Sequence, residues 1–444
     1  MMQVRSLMIV GMLVILASPA LEAQISDHAS VLTLEKIWTI AAASNKQLKL
    51  ASLRRQESDI RVLEARDKYL PELFVTGDLK LNSTFLLYEN GLFSTPQDVP
   101  ISKYGYGVGY SLNVDLYHGG RNRRAVEIKQ EEQRQNQLDF DFQKNNVKYA
   151  LVAAYYDLYT FLHFKDFIEA EIATEKKQLS TIENLSRNGV VLKSDVLRTS
   201  VKLSQLKLSQ ADLEKKIELA KQRLNLLMGR DGEERLEIPY QEPVLLDTLR
   251  EFDYSDYLTI ALHQSPEYKI VQSDVKLGEL NLKQVKASQL PKISLFSNYN
   301  YTYPQISFYP YSNNLWGFGQ TGLRTSFSLD NLYKSRHSMA HAHNLYEQEK
   351  EKSELKKDEL ISKVKDAYLQ LKQALESVAT AETSIAQSVE SVRVIRNSYL
   401  NQESLLTDLL EAENVLLNAR FTLIRAQATV KQSHIKLLLI TGSL

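Results

Sequence analysis

Neither glycine nor proline occurs between Arg121 and Asn188, or between Leu323 and Thr441, and the two spans are closed by Gly189 and Gly442. Spans of this kind predict very long helices, because glycine costs about 1 kcal/mol and proline about 3 kcal/mol in a helix interior. In the second span Leu360, Val364, Ala367, Leu371, Ala374, Val378, Ala381, Ile385, Ser388, Val392, Ile395 and Tyr399 follow one another at alternating steps of four and three. That is the seam of a left-handed coiled coil. Every second seam position from Ala367 to Ser388 is small, which lets backbones approach closely and predicts tight packing in a multi-helix wall.

Shifting the seam back by 213 gives Val147, Leu151, Ala154, Leu158, Phe161, Lys165, Ile168, Ile172, Glu175, Leu179, Ile182 and Ser186, the same pattern with two charged interruptions. The offset recurs elsewhere. Ala154-Tyr155 matches Ala367-Tyr368, Asp195 matches Asp408, and Leu226 to Gly229 matches Leu439 to Gly442. Upstream it drifts to 220, where Ile40-Ala41 matches Ile260-Ala261 and Leu70-Pro71 matches Leu290-Pro291. An ordered series of matches means two copies of one unit. The expected division is a first repeat over 24–255 and a second over 256–444.

Within each unit the order is helix, strand, strand, helix, helix. A helix from about Leu34 to Leu70 is stopped by Pro71, and its counterpart from about Asp256 to Leu290 by Pro291, with Pro266 splitting the latter in two. The period then becomes two, giving hairpins over 71–117 and 291–330. Tyr104, Tyr106, Val108, Tyr110, Leu112, Val114 and Leu116 alternate with Gly105, Gly107, Gly109, Ser111, Asn113 and Asp115. One face is apolar and aromatic, the other small and polar, as a transmembrane β-strand reads with lipid outside and water inside. The second hairpin repeats this with Tyr299, Tyr301 and Tyr303, and the glycines around Trp316 and Phe318 predict a bulge there. The same alternation explains the Gly105 to Gly109 run without a nucleotide loop.

Residues 1–23 hold Arg5, an apolar run from Leu7 to Ala17 and Pro19 before Ala20-Leu-Glu-Ala23, the pattern of a secretory signal peptide cleaved after Ala23. The chain of 444 residues contains no cysteine, so disulfides, zinc-thiolate sites and a lipidated cysteine are excluded. Lysine plus arginine equal aspartate plus glutamate at 54 each, which argues against a nucleic-acid partner; only Arg121 to Arg124 is a basic cluster. No catalytic constellation stands out and no cofactor is expected. His337, His341 and His343 sit near the start of a helix without supporting cysteine or carboxylate and read as solvated rather than metal-binding.

A helix of some 67 residues is about 100 Å long at 1.5 Å per residue, and the shorter helices placed end to end match it. Four strands cannot close a barrel, and open edges are not tolerated in lipid, so several copies must share one barrel.

Leu34-Glu35 with Ala41 and Asn45, Leu116-Tyr117-His118-Gly119-Gly120-Arg121, Asp195-Val196-Leu197 and Asp408-Leu409-Leu410, and the endings Leu227-Met228-Gly229 and Ile440-Thr441-Gly442 carry a resemblance. In this order the chain resembles the TolC-type outer-membrane efflux family across essentially all of 30–444. The resemblance implies an α+β membrane protein with an internally duplicated unit. Each subunit of a homotrimer would give four strands to a shared twelve-stranded β-barrel and long helices to a periplasmic coiled-coil tunnel. It implies an outer-membrane location extending into the periplasm of a Gram-negative cell. Its partners would be outer-membrane lipid, a periplasmic adaptor (membrane fusion) protein and an inner-membrane transporter, in efflux or type I secretion, with the channel as a passive conduit. The chain departs from the pattern in lacking a long extension after Gly442 and in carrying Gln402 where a glycine is usual.

The turns near Gly189 and Gln402 would then lie at the periplasmic tip, with Ser194 and Thr407 as helix N-caps. Asp408 and Glu411 are three residues apart and so share a helix face; in the family, acidic positions matching these ring the narrowest point. Tyr104, Tyr106, Val108, Tyr110, Leu112, Tyr299 and Tyr301 are the expected lipid-facing residues. Two other readings use some of these features, a coiled-coil adhesin or scaffold and a periplasmic helical chaperone. The first would not need two matching hairpins with lipid-like faces, and the second would leave the tyrosine strands soluble.

Overall fold

The computed structural model describes residues 31–239 and 253–444. The signal peptide expected at 1–23 and most of the linker between the repeats lie outside the described residues. The first repeat runs α1 (Leu34–Ser44), α2 (Lys46–Asp67), β1 (Glu72–Leu81), β2 (Phe85–Leu87), β3 (Gln97–Val99), β4 (Tyr104–His118), α3 (Arg121–Arg187) and α4 (Lys193–Met228). The second runs α5 (Tyr254–Gln264), α6 (Pro266–Lys286), a 3₁₀ turn (Ala287–Gln289), β5 (Lys292–Tyr303), β6 (Trp316–Ser326), α7 (Asn331–Leu400) and α8 (Leu406–Thr441).

The first helix of each repeat is broken at the same place. Pro266 marks the break in the second repeat, as expected. In the first repeat the continuous helix expected over 34–70 is instead two, because Asn45 leaves the helical region with φ −64 and ψ 126. Its Oδ1 accepts from the Leu48 N–H at 3.0 Å, capping α2, and its Nδ2 donates to the Leu227 carbonyl at 2.6 Å. Asn45 thus closes α1, opens α2 and ties both to the end of α4.

The four long strands form one antiparallel sheet in the order β1-β4-β5-β6, and β2 and β3 form a small separate hairpin beyond it. Tyr106 faces Tyr303, Val108 faces Tyr301 and Tyr110 faces Tyr299 across β4 and β5. Tyr104 and Leu112 face Leu81 and Leu73 across β1 and β4. Directly opposed residues share a sheet face, so all seven residues expected toward lipid lie on one side. The bulge lies elsewhere than expected. Trp316 to Ser326 pair with β5 without interruption, whereas β4 shifts register between Asp115 and Tyr117. Gly317 and Gly319 are small for a different reason, since an added Cβ would lie 2.7 Å from the Tyr299 hydroxyl at the first and 2.5 Å from Tyr299 Cδ2 at the second. The glycines make room for tyrosine rings lying across β6. The true bulge resets the alternation by one residue, which puts Tyr117, opposite Ile293, on the tyrosine face and His118 on the other.

Below the sheet, α3 spans 67 residues, about 100 Å, alongside α2 and α6 near the strands and α4 and α8 farther away. Among the described residues no helix is long and apolar enough to cross a membrane. The predicted seams form the cores. Val147, Leu151, Ala154 and Leu158 are buried with Ile37, Leu224 and Met228, while Leu360, Val364, Ala367, Leu371, Ala374 and Val378 are buried with Ala426, Val430 and Leu437.

Candidate functional site at the helical tip

Both helical hairpins turn in the same way. After α3, the Gly189 N–H donates to the Ser186 carbonyl at 3.0 Å and the Val190 N–H to the Leu185 carbonyl at 2.9 Å. After α7, the Gln402 N–H donates to Tyr399 at 3.0 Å and the Glu403 N–H to Ser398 at 2.8 Å. This is a Schellman closure in each repeat. It requires a left-handed residue, which is Gly189 at φ 72 in one turn and Gln402 at φ 63 in the other. The glutamine keeps the turn shape that glycine would give, at a conformational cost of about 1–2 kcal/mol.

The N-caps are corrected by the structure. α4 and α8 begin at Lys193 and Leu406, after extended residues Leu192 and Leu405, so Ser194 and Thr407 are the second residues of their helices rather than the caps. Both helices therefore start two residues earlier than the cap preference of serine and threonine suggested. Asp408 takes over the capping role at the third position, where its Oδ2 accepts from the Leu405 N–H at 3.2 Å. Leu406, Leu409 and Glu413 are buried, 3%, 2% and 4% exposed. That pins α8 by one face and leaves Asp408 and Glu411 exposed on the opposite one.

Two turns above the tip lies a buried charge cluster that sequence patterns did not assemble. Lys202 Nζ on α4 is 3.1 Å from Glu175 Oε2 and 3.3 Å from Glu171 Oε1, both on α3, and 2.7 Å from Glu413 Oε2 on α8. Arg396 on α7 donates to Glu413 Oε1 at 3.0 Å. The three carboxylates lie within 4.8 Å of one another, and the Lys202 ammonium is the cation among them. Burial raises the pKa of Glu175, against the pull of Lys202. Its side chain is 0% exposed and neither oxygen has a donor in hydrogen-bond geometry. Burial alone would lower Lys202, but the hydrogen-bonded Glu413, with Glu175 and Glu171, holds it above the ordinary lysine value. At the repeat offset, Glu171, Glu175 and Lys202 become Ser384, Ser388 and Val415, and Glu413 becomes Ser200. The cluster is therefore asymmetric, joining the first repeat to the second. Glu175 was visible as a charged seam position; its partners, remote in sequence, were not. Lys165, the other interruption, lies at the surface side of the seam near Glu169 at 3.6 Å and Glu214 at 3.7 Å.

A four-stranded sheet with two unpaired edges, standing on helices about 100 Å long, defines one subunit of a membrane channel whose barrel and tunnel are completed by further copies. Residues 39–230 and 258–443 match the model of the outer membrane efflux protein family, once in each repeat, and the chain belongs to that family. Its fold is similar to that of the outer membrane protein VceC of Vibrio cholerae, with 16% identity, a TM-score of 0.77, and coverage of 92% of this chain and 96% of that one. It is similar also to the CmeC channel of Campylobacter jejuni, with 15% identity, a TM-score of 0.77, and coverage of 92% and 85%. The open state of the MtrE channel of Neisseria gonorrhoeae gives 16% identity, a TM-score of 0.73, and coverage of 92% and 88%. The comparison with curated proteins gave no match. The chain is thus a passive outer-membrane channel protein that extends into the periplasm, and not an enzyme. Channels of this family are homotrimers that work with adaptor proteins and inner-membrane pumps.

Proposed function

We propose that this chain, after removal of residues 1–23, forms the exit duct of a tripartite efflux or type I secretion assembly, with Asp408 and Glu411 of three copies ringing its periplasmic end. The observation that carries the ring is the orientation of α8. Buried Leu406, Leu409 and Glu413 fix the helix, so the two carboxylates are held on its exposed face. Six carboxylates around an axis would narrow the entrance and attract cations. Lipid contact by the tyrosine face is supported by its exposure, with Tyr104 at 71% and Val75 at 76%.

The flanks support assembly from several copies. β1 and β6 are the unpaired edges of the sheet, and four strands from each of three copies make twelve. On α4, Leu197, Val201, Leu208, Leu219 and Leu226 are all exposed and recur on one helix face, a stripe suited to a neighbouring helix. The test is single-channel recording in planar bilayers with Asp408→Ala/Glu411→Ala. Conductance should rise and cation selectivity should fall; if both stay at wild-type values, the ring assignment is wrong.

A further inference from the structure

Where β4 passes into α3, a cavity of about 680 Å³ opens between the end of α2, the β4 bulge, the first turn of α3 and the end of α6. Arg123, Arg124 and Lys283 line it together with Tyr69, Leu116 and Tyr117. Two carboxylates also face it, and both are already matched. Asp115 lies 3.0 Å from Lys292 Nζ and 3.5 Å from His118 Nδ1, and Glu127 Oε1 accepts from Arg123 Nε at 2.9 Å. Lys283 shares Glu279 with Lys276. Arg124 is the exception, because its guanidinium donates to the Gly119 carbonyl at 3.3 Å and meets no carboxylate among the described residues. The lining is therefore positive on balance, with Arg124 its cation that meets no carboxylate among those residues.

Part of its lining is apolar. Leu116, Leu290 and Tyr117 are 57%, 47% and 43% exposed, and Tyr117 lies beyond the bulge on the same sheet face as Tyr299 and Tyr301, while His118, on the other face, also borders the cavity. The cavity lies at the foot of β4, a strand paired on both sides by β1 and β5, with Tyr69 between α2 and β1 on one flank and Lys283 of α6 on another. A site with an unpaired guanidinium beside exposed apolar and aromatic side chains fits a singly charged phosphodiester that carries acyl chains.

We propose that this cavity binds the headgroup of an anionic phospholipid of the periplasmic leaflet, with Arg124 as its principal phosphate contact; the assignment rests on the tyrosine face being the lipid-facing one. The ligand's chemistry is a phosphodiester of single negative charge, such as that of phosphatidylglycerol. Arg124 has no part in the pore ring, so its loss should leave conduction intact.

The experiment is calorimetric titration of the detergent-solubilised full chain with short-chain dihexanoyl phosphatidylglycerol, dihexanoyl phosphatidylcholine and inorganic phosphate in separate arms. Phosphatidylglycerol should bind saturably and phosphatidylcholine should not. Arg124→Gln should weaken the binding about tenfold while Arg124→Lys recovers most of it, as expected for a charge-assisted hydrogen bond. Both variants should keep wild-type thermal midpoints and single-channel conductance. Equal binding of the two lipids, or no effect of Arg124→Gln, overturns the site; inorganic phosphate competing as well as the lipid overturns the lipid assignment. Because the short-chain lipid is soluble, binding without conduction would count against the channel reading while upholding the headgroup site.

Discussion

Lys202 Nζ donates to Glu413 Oε2 at 2.7 Å, fastening the first repeat to the second inside the helical wall. With Glu175 at 3.1 Å on the same ammonium, removing the lysine leaves two buried carboxylates without their shared cation. Lys202→Met should therefore destabilise the protein by about 3–5 kcal/mol, and adding Glu175→Gln and Glu413→Gln to it should restore much of the loss. Thermal unfolding of the solubilised protein followed by circular dichroism measures both, and an unshifted midpoint for Lys202→Met alone would remove the cluster's stabilising role.

The raised pKa of Glu175 gives the protein a slope with pH. Its folded value lies above the ordinary 4.5, so its contribution to stability is fully present below that pH and is lost as pH rises through the folded value. Lys202 is raised above 10.5, and its contribution is lost only at still higher pH. Between pH 4.5 and neutrality Glu175→Gln should thus lessen the fall in thermal midpoint with pH. A variant with the wild-type slope would assign that slope to other groups.

At the second tip turn, Gln402 occupies the left-handed region at φ 63, where Gly189 stands in the first. Gln402→Gly should relieve the strain and stabilise the turn by about 1 kcal/mol, whereas Gly189→Ala should cost about as much. Chemical denaturation of the two variants distinguishes the signs.

Ala374 is 4% exposed between α7 and α8 in the core of the second repeat. Ala374→Leu adds volume with nowhere to go, at a cost of about 1–3 kcal/mol, and should disturb assembly. An unaltered oligomer on a native gel would refute the tight-wall reading of the small seam positions.

The long helices, the doubled unit and the strand faces were legible because each leaves a periodic trace in the sequence. Val364 and Ala367 are buried for the same reason that they recur at heptad spacing. What escaped was non-periodic. Asn45 breaks its helix as Pro266 does, but asparagine interrupts a helix only through the particular bonds it makes to Leu48 and Leu227. The glycines of β6 suggested a bulge, yet what they provide is space beneath tyrosine rings contributed by another strand. The helix starts at the tip are fixed by extended Leu192 and Leu405, which carry no capping signal. Lys202 and Glu413 are brought together only by tertiary packing, and neither position announces the other.

An even number of antiparallel strands returns the chain to the side from which it entered. α2 leads into the sheet and α7 leads out of it on the same side, so the last described residue, Leu444, lies with the helices and the reach between β2 and β3 lies across the sheet from it. A peptide epitope placed at that reach should be open to antibody on intact cells, while the same epitope following Leu444 should stay shielded until the outer layer is breached.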